Sequence, residues 1–162
     1  MRQRFTWNKE EKLKSRKRID SVFKEGKSFS VFPFRVYYLV GKCGEAVQPG
    51  VAVLLQAAGG QPGGAIKAKA VQTHAAVKAK AVVQAGFGAG SRHFKRAVDR
   101  NRIKRLSREA YRVQKQPLID QMREKGLCMA VFFIYTGKEL PDYQTVSGKI
   151  GVVLQKLIRE TA

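Results

Sequence analysis

Cysteine is nearly absent from this sequence of 162 residues, which contains only Cys43 and Cys128. The two cysteines form no CxxC pair and have no histidine close to them in the sequence. Their spacing therefore does not predict a zinc site or a disulfide framework. We expect both side chains to be reduced thiols with a structural role.

Long hydrophobic runs are missing as well. No apolar run approaches the roughly 18 residues that a membrane-spanning helix needs. The longest run, at residues 127–135, is typical of a buried strand. Residues 1–18 are too charged for a secretory signal, because Glu10 and Glu11 interrupt any apolar stretch there. We therefore expect a cytoplasmic protein without a membrane partner.

Negative charge is also scarce. The chain has 12 acidic residues against 32 lysines and arginines, a net charge of +20 and an isoelectric point near 10.4. Such an excess favours a nucleic-acid partner over an acidic metabolite. The hydrophobic share of 44% in 162 residues is enough for one compact core. We expect a single domain over residues 1–162.

The clearest pattern that is present is a basic helix at residues 94–115, FKRAVDRNRIKRLSREAYRVQK. At 3.6 residues per turn, one narrow apolar stripe is predicted to pack on the core: Ile103, Leu106, Ala110 and Val113. The opposite side is predicted to carry the remaining large side chains: Arg100, Lys104, Arg105, Arg108, Tyr111, Arg112 and Lys115. Residues 92–115 hold ten basic residues against two acidic ones, a net charge of +8. Like charges with so few opposite partners indicate a surface that binds a polyanion rather than a solvated helix face.

Two further elements are predicted before this helix. Residues 9–27 contain a short helix that ends at Gly26 and sends Ile19, Val22 and Phe23 towards the core. Residues 34–40 form a strand whose alternation places Arg35, Tyr37 and Leu39 on one face. Arginine beside an aromatic can hold a phosphate and stack a base. Ordinary core packing of Tyr37 explains the same pattern equally well.

The middle of the chain, at about residues 44–81, is a low-complexity insertion rich in Ala, Gly and Lys. Its GGQPGG run lacks the spacing of a phosphate-binding loop. Its lysines are better explained by solvation than by phosphate contacts: Lys67, Lys69, Lys78 and Lys80. The second strand is at residues 51–55 or 82–86, and we favour the latter because it leaves a short approach to the basic helix. Residues 86–90, GFGAG, are expected to allow a tight turn or a close approach to a ligand.

The last third of the chain predicts two more helices and a strand. Pro117 should break or kink the basic helix, and residues 118–125 are expected to add a helical turn that ends at Gly126. The apolar strand at residues 127–135 should be central in the sheet. Residues 142–160 carry the spacing of an amphipathic helix.

These elements resemble a known family. The segment AVDRNRIKRLSREAYR at residues 97–112 is similar to the signature of the protein subunit of bacterial ribonuclease P, including its RNR core at residues 100–102. The segment KLKSRKRIDSVFKEGKSF at residues 12–29 resembles that family's amino-terminal pattern. The remaining strands and the last helix lie in the family's order, so the resemblance covers nearly the whole chain apart from residues 44–81.

The resemblance implies an α/β (α+β) two-layer sandwich of the ribonuclease P protein-like, or ribosomal-protein-like, fold. A small mixed sheet of about four strands would pack with three helices, and a left-handed crossover would carry the RNR helix. The general rule for a connection between two parallel strands of one sheet predicts a right-handed crossover instead. The resemblance also implies that the protein binds the catalytic RNA of ribonuclease P and helps it remove the 5′ leader of precursor tRNA. No protein partner is expected to be required.

The resemblance also implies two sets of site residues. Those expected to contact the catalytic RNA are Arg92, Lys95, Arg96, Arg100, Asn101, Arg102, Lys104, Arg105 and Arg108. Those expected to line a leader cleft between the sheet and the RNR helix are Ile19, Phe23, Arg35, Tyr37 and Arg112. The family usually has two basic residues just before the RNR helix. Here Ser91 and Arg92 stand at those positions, or Arg92 and His93 if the alignment shifts by one residue. Ile19 stands where an aromatic is common.

Groups for acid–base or metal catalysis are few. The only histidines are His74 and His93, and the acidic residues lack the spacing of metal ligands. We therefore predict no catalytic residue and no metal ligand in the protein, and expect magnesium to be bound mainly by the RNA. The competing interpretations are a structural ribosomal protein or another basic RNA-binding protein, and a DNA-binding module. The last lacks the second helix of a helix-turn-helix arrangement.

Overall fold

The computed structural model describes residues 6–43 and 81–161. A 3-10 turn at Lys9–Glu11 leads into four helices and four strands. The helices are α1 (Arg16–Glu25), α2 (Ala97–Gln114), α3 (Gln116–Glu124) and α4 (Tyr143–Glu160). The strands are β1 (Lys27–Val31), β2 (Phe34–Lys42), β3 (Val83–Ala89) and β4 (Leu127–Tyr135). The insertion, with its candidate strand at residues 51–55, lies outside the described residues except for Ala81.

The four strands form one mixed sheet in the order β1-β2-β4-β3. The β1/β2 and β2/β4 pairs are antiparallel, whereas β3 and β4 are parallel. This confirms the α/β (α+β) class, the mixed four-stranded sheet and the internal position of β4. A strand is also found at the favoured residues 82–86, although β3 begins at Val83 and extends to Ala89. Strand β1 was not predicted individually, and the helix count is four rather than three. The handedness of the crossover stays a prediction.

The two faces of the sheet are covered differently. Helices α2, α3 and α4 pack on the face that carries the main core, which includes Val36, Val131 and Phe133. Helix α1 packs on the other face over β2 and β4, where Leu13, Val22 and Ala130 form a smaller cluster. The predicted alternation in β2 is confirmed, because Tyr37 and Leu39 lie with this smaller cluster.

Glycine ends two helices where the sequence predicted a stop. The Gly26 amide donates to the Val22 carbonyl oxygen at 3.1 Å, and a Cβ at Gly26 would lie only 2.2 Å from that oxygen. Gly126 follows α3 with a φ of 61°, a left-handed conformation that favours glycine. The predicted interruption at Pro117 is a break rather than a kink, because α2 ends at Gln114 and a separate helix begins at Gln116. Pro117 lies in the first turn of this separate helix α3, where its missing N–H costs no hydrogen bond.

The apolar stripe predicted for α2 is only half right. The buried residues are Ile103, Ser107, Ala110 and Tyr111, whereas Val113 is 40% exposed. Tyr111, expected among the outward cations, lies in the core with its ring centroid 5.6 Å from that of Phe87. Ser107 is tolerated there because its hydroxyl donates to the Ile103 carbonyl oxygen at 2.9 Å. Tyr111 rather than Val113 is buried because its large ring removes more apolar area from water than a valine side chain does.

Lys115 was also expected on the outward face, and this is wrong. Its side chain is buried, donates to the Thr6 carbonyl oxygen at 2.6 Å and forms an ion pair with Glu11. The buried ammonium group therefore has a hydrogen-bond acceptor and an ion-pair partner. These contacts offset the free-energy cost of removing its charge from water. This contact fastens the amino-terminal segment to the end of α2.

The prediction of reduced thiols is wrong, since Cys43 and Cys128 form a disulfide. The Cys43 amide donates to the Gly126 carbonyl oxygen at 3.1 Å and so continues the antiparallel pairing of β2 with β4. This pairing brings the two cysteine Cα atoms to 4.9 Å, within the range that a disulfide spans. Local sequence patterns could not predict this disulfide, because the two cysteines are 85 residues apart. None of the described helices is long and apolar enough to cross a membrane.

Candidate nucleic-acid interface

Helix α2 and the turn before it present a dense set of cations, which we call the α2 basic surface. Its exposed members are Arg92, Lys95, Arg96, Arg102, Arg105 and Arg108, with Asn101 exposed among them and Lys104 half-buried. Ser91 and His93, the alternative positions before the helix, are exposed too. The helix reaches this arrangement because Ile103, Ala110 and Tyr111 fix its opposite side to the core.

The protein's own carboxylates leave this surface largely uncompensated. Among the described residues there are two salt bridges, Arg112 with Glu109 and Lys115 with Glu11. Neither uses a member of the α2 basic surface. Uncompensated like charges on one helix raise the positive potential there, and a polyanion would relieve their repulsion.

Arg100 differs from the other predicted contacts. Its Nη1 atom donates to the carbonyl oxygens of Phe94 and Lys95, both at 2.7 Å. These carbonyls lie in the segment that leads into α2, so the guanidinium group fixes the entry to the helix. The first residue of the RNR core therefore shapes the α2 basic surface as well as adding charge to it.

The second predicted set lies mainly between α1 and the sheet. The Phe23 ring centroid is 4.8 Å from that of Tyr37 and 5.2 Å from that of Phe132. Ile19 packs beside them against the smaller core cluster. We call Ile19, Phe23, Tyr37 and Phe132 the α1 aromatic cluster. Phe23 is 38% exposed, so part of its ring is open to a ligand.

This position corrects the expected cleft. The space between α2 and the sheet is filled by the core, where Tyr111 contacts both Phe87 and Phe133. The cluster lies instead on the α1 side of the sheet. Core packing of Tyr37 is observed in part, since its side chain is half-buried, and stacking of a base on its ring stays a prediction. The Arg35 guanidinium carbon lies 5.4 Å from the ring centroid.

Phe132 was missed by the sequence reasoning, although it falls in the predicted strand β4. The glycines of β3 explain its position. A Cβ at Gly86 would come within 2.5 Å of the Phe132 ring, and one at Gly88 within 3.0 Å. The strand therefore does not end at Gly86 but continues to Ala89. The space beside Gly86 and Gly88, where a close approach to a ligand was expected, is filled by the Phe132 ring.

Arg112 is not placed with the α1 aromatic cluster. Its Nε atom donates to the Glu109 carboxylate at 2.9 Å, and this hydrogen bond raises the pKa of Arg112 and lowers that of Glu109. Tyr143, at the start of α4, also contributes to the raised pKa of Arg112. Helix α4 covers the face opposite α1, so Arg112 belongs to that side of the molecule.

The sequence reasoning also missed Trp7, the single tryptophan. Its indole lies edge-on to Phe87, with 5.7 Å between ring centroids, and packs against the main core. The Lys12 ammonium and the Arg108 guanidinium lie over the same ring, at 5.1 and 5.7 Å from its centroid. The sequence feature that could have identified this contact is the single tryptophan in a chain rich in lysine and arginine. The indole ring attracts cations more strongly than the other aromatic side chains do.

The described residues offer no site for a metal ion. Within residues 6–43 and 81–161, no three His, Cys, Asp or Glu side chains lie together in an arrangement that could hold one. His93 is exposed in the turn before α2. His74 lies outside the described residues.

Comparisons with known proteins agree with the resemblance in the sequence. The family model described as Ribonuclease P matches residues 7–158. Two curated relatives, both named ribonuclease P protein component, come from strains of Porphyromonas gingivalis, ATCC 33277 and W83. They are 33% and 32% identical to this chain over 142 residues, which cover 88% of this chain and 79% of each relative.

The fold matches a solved structure as well. The Staphylococcus aureus RNase P protein, determined at 2.0 Å, is similar with a TM-score of 0.55 over 90% of this chain and 94% of that one. Sequence identity in this comparison is 16%, so it supports the fold alone.

Proposed function

Since the chain belongs to the ribonuclease P family and is a relative of its protein components, we propose that it binds the catalytic RNA of that enzyme and the 5′ leader of precursor tRNA. Its action would assist the magnesium-dependent removal of the leader, with the RNA carrying out the chemistry. The α2 basic surface, uncompensated by the protein's own carboxylates, is the observation that carries this proposal.

The α2 basic surface supports binding to a folded RNA. Most of its charges project from a helix that is packed on the core, so little backbone entropy is lost when phosphates bind. Each neutralised phosphate releases counterions, which makes such binding strong at low salt and weak at high salt. We assign Arg92, Lys95, Arg96, Asn101, Arg102, Lys104, Arg105 and Arg108 to this contact, and Arg100 to shaping it.

The α1 aromatic cluster supports binding of the single-stranded leader. A single strand exposes base faces, and aromatic rings stack on them with little regard to sequence. Phe23 and Tyr37 offer such rings, and Arg35 lies close enough to Tyr37 to contact an adjoining phosphate. Burial lowers the pKa of the Arg18 guanidinium on α1, yet an arginine stays charged at neutral pH. Helix α1 therefore also adds positive charge to this side.

Magnesium is proposed to be bound mainly by the RNA. The described carboxylates and histidines do not form a metal site, so we assign no protein ligand to it. The protein would instead neutralise phosphates and position the leader. We propose that it needs no protein partner for this, and the cytoplasmic location stays a prediction.

Reconstitution tests the proposal directly. The full chain is added to ribonuclease P RNA transcribed from the same organism at a low magnesium concentration, and cleavage of precursor tRNA is measured. We expect the protein to restore leader removal under conditions in which the RNA alone is slow. Unchanged cleavage, together with equal affinity for that RNA and for ribosomal RNA, would instead favour a general basic RNA-binding protein.

A further inference from the structure

A second group of cations meets the α2 basic surface at Trp7. Lys12, in the amino-terminal segment, and Arg108, on α2, both lie over the indole ring. Their backbones come from parts of the chain that are far apart in sequence. The amino-terminal segment contributes further exposed cations on either side of Lys12: Lys9, Lys14 and Arg16.

The amino-terminal segment is held firmly where it carries Trp7. Lys115 binds the Thr6 carbonyl oxygen on one side of the tryptophan and Glu11 on the other. The Leu13 amide donates to the Ala85 carbonyl oxygen at 3.0 Å, next to the bridge between Lys12 and Ala85. Both cations at the ring therefore extend from fixed backbone, and their contacts with the indole limit where the two head groups lie before any partner binds.

Two like charges that lie 5.1 and 5.7 Å from one ring centroid repel each other, and an anion close to both would lower this repulsion. Among the described residues neither Lys12 nor Arg108 forms a salt bridge, because Glu11 pairs with Lys115 and Glu109 pairs with Arg112. The ring quadrupole attracts each cation but does not cancel the repulsion between them. A phosphate between or beside the two groups would lower this repulsion.

The choice of tryptophan points the same way. Its Nε1–H is buried and has no hydrogen-bond partner, the only such buried side-chain atom in the described part of the chain. A phenylalanine or leucine would fill apolar space without leaving a buried donor unpaired. Tryptophan is, however, the aromatic that holds a cation best. Packing alone therefore does not account for this residue.

We propose that Trp7 is a positioning residue for RNA binding, which holds Lys12 and Arg108 as a phosphate-binding pair. This pair joins the amino-terminal cations to the α2 basic surface and lengthens the track along which an RNA backbone lies. The proposal rests on the proposed function, since it takes the ribonuclease P RNA as the ligand. Trp7 itself acts through the two cations rather than by contacting the RNA.

The test compares Trp7→Leu and Trp7→Phe with the parent chain. Affinity for in vitro transcribed ribonuclease P RNA is measured at several salt concentrations, and thermal unfolding is recorded for each variant. Trp7→Leu should weaken binding by about threefold to tenfold, the size that a cation–π contact carries, and Trp7→Phe by less. The matched control is Phe29→Leu, which removes another ring that lies under a cation, Lys156 at 4.6 Å. Phe29 lies on β1, at the edge of the sheet opposite β3. The affinity of this variant should not change.

A mutant cycle separates positioning from folding. Lys12→Ala and Arg108→Ala are made in the parent chain and in Trp7→Leu. Each should weaken binding and flatten the salt dependence in the parent, and should do so much less once Trp7 is gone. Equal effects in both backgrounds would mean that Trp7 acts only through the fold, which overturns the proposal. If Trp7→Leu does not fold, the same comparison is made in Trp7→Phe, where a smaller loss for the two alanine variants is again expected.

Two further outcomes are decisive. Parent and Trp7→Leu proteins with the same affinity and salt slope would overturn this inference and leave the proposed function intact. A parent chain that does not bind ribonuclease P RNA at all would overturn the proposed function, and the inference with it.

Discussion

Replacing Phe23 by leucine should weaken binding of the 5′ leader without much loss of stability. The Phe23 ring is 38% exposed and contacts Tyr37 and Phe132 edge-on or tilted, at 4.8 and 5.2 Å between centroids. Leucine keeps most of the apolar volume, so the free energy of unfolding should fall by less than about 1.5 kcal/mol. Stacking on a base contributes about 1 to 3 kcal/mol, and leucine offers no aromatic face. The dissociation constant for a leader-bearing substrate should therefore rise by roughly 5- to 150-fold.

The assay is the affinity of the reconstituted enzyme for precursor tRNA and for mature tRNA that lacks the leader. The matched control is Tyr143→Leu, which alters an aromatic with the same 38% exposure at the start of α4, on the other side of the sheet. Phe23→Leu should weaken only the binding of precursor tRNA, and Tyr143→Leu should weaken neither. Equal losses for both substrates, or a larger effect of Tyr143→Leu, would refute the assignment of the leader to the α1 side.

Three other measurements test separate parts of the structure. Arg102→Ala should weaken binding to the catalytic RNA and reduce the salt slope by about 0.7 to 0.9, the share of one phosphate contact; an unchanged slope would place Arg102 outside the interface. Burial and the hydrogen bond to Glu160 raise the pKa of Tyr38 to about 12, so its contribution to stability is full below about pH 10 and is lost as the pH rises towards 12. Urea unfolding at pH 9 and pH 11 should show a smaller loss for Tyr38→Phe than for the parent, and an equal loss would contradict this cause. Cys43→Ser, which opens a disulfide spanning 85 residues, should lower the free energy of unfolding by about 2 to 4 kcal/mol in chemical denaturation, whereas an unchanged value would mean that the disulfide adds nothing to stability.

The family and most of the elements were readable from local patterns. The strand at β4, the helix at α4 and the stop at Gly26 follow from runs and periods of a few residues. The basic character of α2 follows from the composition of one segment. Strand β1 was harder, because its five residues carry only Phe29 and Val31 as apolar signals and it pairs through a turn at Pro33. Short strands gain their stability from their partners rather than from their own sequence.

The candidate sites divide in the same way. The α2 basic surface was predicted nearly complete, since exposed charge on a helix needs no tertiary partner. The α1 aromatic cluster was predicted in part: Ile19, Phe23 and Tyr37 meet, but the side of the sheet on which they meet was wrong. Arg112 was misplaced because the sequence did not show that α2 and α4 pack together.

The sequence by itself determined the excess of positive charge, the family signature and the order of the main helices and strands, because each depends on neighbours within a few turns. Only the tertiary structure decided which side of α2 is buried, where Tyr111 displaced Val113, and that Lys115 lies inside the protein. It alone joined Cys43 to Cys128 and brought Lys12 and Arg108 to Trp7. These contacts link residues far apart in the chain, and they form only after the sheet has brought those residues together.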